Sequence, residues 1–277
     1  MKIDRQKFQQ WPGKVITLMG MSGVGKTTLA GVLPQDTWFH YSADYRIGTR
    51  YLKEPILDNI KRHALQQPFL RDLILSDSIS FRSNITFQHL KPVSTFLGKI
   101  GNPAQGGSSL EEFKRRQRLH REAEIQAIRD VGPFIDKART LYDRPHFLND
   151  TGGSICELTD AEVWDELSKH SVIIYLRADD DMEQMLIQRA QADPKPLYYD
   201  EAFLDHHVAA YLEQNGLAHT DEMDPDDFVQ WVFPHLIAHR RPLYERIADK
   251  YGYTVDAGKV LTVKSEQDML DLINEAL

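Results

Sequence analysis

Cysteine is nearly absent from this 277-residue chain, where Cys156 stands alone. One thiol closes no intramolecular disulfide and builds no cysteine zinc site. Long apolar runs are missing too, and none reaches membrane-spanning length. The first residues, MKIDRQKFQQWPG, are polar and carry no apolar signal core. A basic surplus is also lacking. The formal net charge of −8 argues against a general nucleic-acid binder, yet a local pocket can still be basic. No internal repeat is visible. These absences lead to the expectation of a soluble, cytoplasmic protein with no membrane or nucleic-acid partner. Hydrophobic residues make up 42%, enough for a real core and against global disorder.

What is present centres on Gly20-Met21-Ser22-Gly23-Val24-Gly25-Lys26-Thr27, with Thr28 behind it. The stretch matches G-x-x-x-x-G-K-[ST], the phosphate-binding loop of ATP- and GTP-using proteins. Lys14–Met19 ahead of it reads as a buried strand. Thr27–Leu33 behind it reads as a helix stopped by Pro34. Such a loop brings backbone N–H groups close to phosphate oxygens. The helix N-terminus adds unpaired donors and a partial positive charge. Lys26 can then reach the β- and γ-phosphates, and the Thr27 hydroxyl can ligate Mg²⁺.

Strand-like runs recur at Val15–Met19, Thr37–Tyr41, His146–Asn149, Val172–Leu176 and Tyr253–Val255, with helical patterns between them. That alternation predicts a parallel sheet with helices on both faces. Residues 54–144 are too long for a simple crossover and read as a helical insertion on the substrate side. Within them, the glycine-rich loop 98–109 is expected to be exposed and mobile. A long helix should follow, from Ser109 to about Tyr142. Residues 192–235 read as a lid and a second helical insertion, helical from about Asp200 to Trp231.

Several polar positions fall at strand ends. Asp150, beside the phosphate loop, can hold Mg²⁺ through water, although a turn-capping Asp is equally common. The adjoining Thr151-Gly152-Gly153-Ser154 favours a ligand site, since glycines admit close approach to the backbone. Asp44, after the second strand, can accept a substrate proton or cap the next helix. Arg115, Arg118 and Arg121 share a helix face, usually a solvated one but able to clamp an anion. Arg189 and Lys195, around a Pro-bracketed loop at 193–198, suit a lid that closes on a transferring phosphate.

In order as well as in kind, these motifs resemble the shikimate kinase-like P-loop kinases, near the nucleoside monophosphate kinases. Arg240-Arg241-Pro242-Leu243-Tyr244-Glu245-Arg246-Ile247-Ala248 is similar to the R-x-P-L-Y-x-x-x-A helix of shikimate kinases. The resemblance implies that Arg240 contacts an acceptor carboxylate. Thr151–Ser154 is similar to the family's T-G-G-G turn, Lys195-Pro196-Leu197-Tyr198 to its lid R-P-L-L, and Ser42-Ala43-Asp44 to its D-x-D. His120-Arg121-Glu122-Ala123-Glu124 is similar to F-R-x-x-E, which would make Arg121 a second carboxylate-binding arginine. The resemblance further implies a three-layer α/β P-loop NTPase fold over 1–277, with a five-stranded parallel sheet in the order 2-3-1-4-5. The departures are Ser42 for the first acid, Lys195 for the lid arginine, and Ser154 for the third glycine. Asp150 can take over the magnesium role, and Arg189 can supply the missing guanidinium. The expected activity is ATP- and Mg²⁺-dependent phosphorylation of a small, anionic hydroxy acceptor. The rival expectations are a nucleotide-dependent switch acting on a protein partner through the insertions, and a nucleotide kinase.

Overall fold

The computed structural model describes residues 1–277. Five strands form one sheet: β1 Val15–Met19, β2 Trp38–Ser42, β3 His146–Asp150, β4 Val172–Arg177 and β5 Gly252–Asp256. Their order is β2-β3-β1-β4-β5, and every neighbouring pair is parallel. This is the three-layer α/β P-loop arrangement, with β1 at the centre. Buried parallel strands read as continuous apolar runs. Val15–Met19 is buried at all five positions, and β4 at all but its last residue. The strands lie within a residue or two of the expected runs.

Helices depart further from their sequence pattern. The expected 109–142 helix is two helices, Leu110–Arg129 and Val131–Thr140, parted at Asp130. Gly132 and Pro133 sit in the first turn of the second, where proline's missing N–H costs little. Asp130 accepts from Arg46 Nε at 2.7 Å and the Tyr51 hydroxyl at 2.5 Å, so the break is tied to the chain after β2. The stretch expected to be helical from about Asp200 to Trp231 is two helices, Glu201–Asn215 and a second that runs on from Pro225 to Tyr251. It continues through Pro234 and Pro242, each of which forfeits a ladder hydrogen bond. No helix is long and apolar enough to cross a membrane.

The glycine-rich loop also differs from expectation. Its tip, 103–106, is exposed, but Ile100 is wholly buried. Asn102 N–H donates to the Met223 carbonyl at 2.8 Å, Ser108 N–H to Lys99 at 2.8 Å, and Gly101 N–H to Ser108 at 3.1 Å. The loop base is therefore stapled to the 192–235 region. Both insertions bury apolar surface apart from the sheet. Ile100, Phe113, Tyr199, Phe203, Met223 and Phe228 belong to one small core, and Ile47, Ile56, Val93 and Phe96 to another.

Phe113 is fully buried in the first of these cores. Phe113→Ala should cost about 3–5 kcal/mol in a chemical denaturation series. Amide exchange should then accelerate first around Ile100, Met223 and Phe228 while β1 and β4 stay protected. Uniform acceleration across the sheet would count against a separate insertion core.

Candidate active site

The phosphate loop sits where β1 ends. Gly25 holds the left-handed conformation, φ 98°, at the N-terminus of the helix Lys26–Gly31. A side chain there would be strained, and its Cβ would come within 2.7 Å of Val260. The Met21 and Val24 side chains are buried beneath the loop, while Ser22, Gly23 and Gly25 face a cleft of about 1000 Å³. Thr27 and Thr28 line the same cleft. Lys26 is buried, and its Nζ donates to the carbonyls of Gly20 at 2.6 Å and Met21 at 3.0 Å. Burial lowers its pKa, against the opposing pull of Asp150 and then Asp44.

Strand register brings the acids to this loop. Asp150, the last residue of β3, pairs with Leu18 of β1 on one side and Ser42 of β2 on the other. Thr27 Oγ1 donates to Asp150 Oδ2 at 3.2 Å. A hydroxyl and a carboxylate at a phosphate loop fit Mg²⁺, which takes few protein ligands and completes its shell with phosphates and water. No group of three or more His, Cys, Asp or Glu side chains able to hold a metal is present. His40, from the middle of β2, places Nε2 3.7 Å from Asp150 Oδ2 with no hydrogen-bond partner.

Ser42 caps the four-residue helix Ala43–Arg46, its hydroxyl accepting from Tyr45 N–H at 3.3 Å. Asp44 is thereby free of capping and lines the cleft. It also lines a second cavity of about 690 Å³, which shares Ser22, Gln88, Leu90 and Gly153 with the first. Burial, then the nearby Asp150, raises the Asp44 pKa to about 6.

Glu124 lies behind Asp44, completely buried, with both carboxyl oxygens against Ser154 Oγ at 3.0 and 2.9 Å. Gly152 separates the two acids. A Cβ there would lie 2.8 Å from Glu124 Oε1 and 3.1 Å from Asp44 Oδ1, so only glycine fits. Burial pushes the Glu124 pKa up to about 8, against the hydrogen bond from Ser154.

The expected arginines are placed unevenly. Arg240 is buried, with Nε and Nη2 on the Glu157 carboxylate at 3.0 and 3.3 Å. Nη1 donates to the Gly153 carbonyl and Nη2 to that of Tyr198, each at 2.8 Å. Arg121 pairs with Asp160 at 2.7 Å and lines neither cavity. Arg115 pairs with Glu112 and Arg118 with Glu201, so the stripe divides into separate surface pairs rather than one clamp. Arg189 is exposed, its guanidinium alongside Gly23 of the phosphate loop. Lys195 is exposed, pairs with Asp193 at 3.2 Å and lines the second cavity.

Half of the expected lid is fixed. Gln117 donates to the Leu197 carbonyl at 3.3 Å and accepts from Tyr199 N–H at 3.0 Å. Tyr198 stacks on His120 with centroids 5.4 Å apart. His120 is buried, its Nδ1 has no partner, and burial followed by Arg240 lowers its pKa to about 4. Of Gln117, His120, Glu124 and Glu157, the sequence reading includes only His120 and Glu124, as the ends of the stretch similar to F-R-x-x-E, and gives neither a role. The first three recur on one buried face of the helix Leu110–Arg129, and that interrupted apolar stripe was the readable signal.

No protein-family model matches the chain, and no curated protein sequence does. Solved structures similar to it include a shikimate kinase from Bacteroides thetaiotaomicron, at 13% identity over 95% of this chain and 95% of that one, with a TM-score of 0.42. A shikimate kinase from Acinetobacter baumannii in complex with shikimate shares 16% identity over 92% of this chain and 95% of that one, with a TM-score of 0.41. The fold follows from the sheet itself, and the chemistry of the cleft from this chain's own residues.

Glu124 gives the cleft a pH-dependent stability. It ionises near 4.5 ordinarily and near 8 when folded. Between those values the folded chain keeps a proton that the unfolded chain has lost, so stability falls as pH rises through this window. Glu124→Gln should flatten that fall, gaining on the parent protein between about pH 5 and about pH 9 in denaturant melts. Parallel pH profiles would show that Glu124 ionises normally.

Proposed function

We propose that the protein transfers the γ-phosphoryl group of ATP to a hydroxyl of a small molecule held in the second cavity. The observation that carries this reading is Asp44, which faces both the phosphate-loop cleft and the adjoining cavity. The loop amides and Lys26 hold the phosphates. Thr27 and Asp150 hold Mg²⁺, which when bound neutralises charge on the β- and γ-oxygens. Asp44 orients the acceptor hydroxyl and takes its proton as the oxygen attacks phosphorus. Arg189, beside Gly23, and Lys195, at the exposed end of the lid, meet charge on the transferring group. The protein's work is positioning and electrostatics, as in phosphoryl transfer generally.

A switch acting on a protein partner accounts less well for a second cavity that shares Asp44 with the phosphate-loop cleft. Turnover separates the two readings. ADP formation that needs a small acceptor supports the kinase, and ADP formation that needs only an added protein supports the switch.

Lys26→Ala should cut turnover by about 10²–10³-fold in protein that circular dichroism shows to be folded. Unchanged turnover would remove the phosphate-loop assignment. Asp44 must be ionised to accept a proton, so acceptor-dependent kcat/KM should rise with pH through about 6. Asp44→Asn should abolish that limb yet keep the stabilisation by MgATP in a thermal-shift assay.

A further inference from the structure

The second cavity is a pocket whose charges are already paired. Arg240, its only buried cation, is closed by Glu157 and two backbone carbonyls. Lys195 pairs with Asp193 in water, and Lys91 lies on the exposed rim. Facing them are Asp44 at the cavity wall, with Glu124 and Glu157 just behind. An incoming carboxylate would meet Asp44, whereas Glu124 keeps its proton and Glu157 is already paired. It would also have to take Arg240 from Glu157, leaving a carboxylate buried and unpaired, which is strongly unfavourable. An ammonium group would find the nearby Gly153 and Tyr198 carbonyls already taken by Arg240.

The groups that remain free are neutral. His120 Nδ1 is buried and unpartnered in the cavity wall. Thr95 and Gln88, at the exposed side of the same cavity, offer hydroxyl and amide groups, and the Ser94 hydroxyl, which donates to the Lys91 carbonyl, can still accept. The stacked His120 and Tyr198 rings add an apolar face at which C–H bonds of a ring can rest. From this we infer that the acceptor is an uncharged polyhydroxy compound of the sugar or cyclitol class, bound against His120 and Tyr198, and that acids are excluded because Arg240 is neutralised from within. This rests on the kinase reading above.

The test is ADP formation by the full chain with MgATP and three pools at equal concentration. One pool holds neutral monosaccharides and cyclitols, one hydroxy acids including shikimate and quinate, and one aminosugars and amino alcohols. Stimulation by the neutral pool, with specific activity about tenfold above either charged pool, is the expected result. Greater stimulation by acids or by amines overturns the inference and leaves the kinase reading standing. Stimulation by none, with MgATP binding intact, counts against the kinase reading and takes the inference with it. Two variants sharpen the outcome with the best neutral acceptor. His120→Phe keeps the ring stack and deletes Nδ1, and should raise acceptor KM about tenfold with little change in kcat. An unchanged acceptor KM would remove His120 from the site. Glu157→Gln leaves Arg240 short of its counter-charge and should let quinate compete with the acceptor. Quinate inhibiting the parent protein and Glu157→Gln equally would show that Arg240 is not the gate.

Discussion

One guanidinium–carboxylate pair, Arg240 with Glu157, ties the walls of the second cavity together. Both partners are almost wholly out of solvent. Taking two ions from water costs several kcal/mol each, and their attraction offsets this only when every remaining donor is satisfied. Here the remaining partners are the backbone carbonyls of Gly153 and Tyr198. Those carbonyls belong to the two segments that frame the second cavity, the turn after β3 and the chain leading out of the lid. Tyr244, one turn further along the same helix, donates its hydroxyl to Gly153 as well, at 2.9 Å. A structural necessity, closing a buried charge, therefore also sets the width of the cavity.

This arrangement explains which parts of the site were legible in the sequence. The phosphate loop is local: a strand, a turn and a helix start within Val15–Gly31, each with its own residue signature. Asp44 and Asp150 were legible because strands end there. The sheet order came from the resemblance, since apolar runs alone do not rank strands within a sheet. Glu157 gave no signal, because its partner lies 83 residues away. Gln117, His120 and Glu124 occupy positions where an amphipathic helix would put apolar residues. A polar residue on a core face says that something polar is buried, but not what it faces. The 98–109 loop was misread for a related reason. Glycine and serine mark turns, but whether a turn is anchored depends on distant acceptors such as the Met223 carbonyl.

Charge is divided between the two cavities in a way that suits their proposed contents. Lys26 and Arg189 lie at the phosphate loop, where a polyphosphate needs cations free to meet it. On the far side of Asp44, cations are paired internally or face water. On the proposed reading, this division keeps a second anion from competing with ATP for the same lysine. The anchored half of the lid, Leu197–Tyr199, belongs to the cavity wall. The exposed half, Asp193–Lys195, is the part whose movement would break no buried hydrogen bond.

Ser42 follows from the same electrostatics. It stands where the D-x-D pattern has its first acid. An aspartate there would cap Ala43–Arg46 equally well. The register, however, sets position 42 directly opposite Asp150, with Asp44 two residues on. A third carboxylate would then join two that already interact, since Asp150 helps to raise the pKa of Asp44. Like charges at such a site push proton affinities up together. Asp44 would be driven further from ionisation. Serine supplies the cap without the charge. On the proposed reading, one acid fewer beside the loop leaves Asp150 to hold a cation with Thr27 and Asp44 to take a proton.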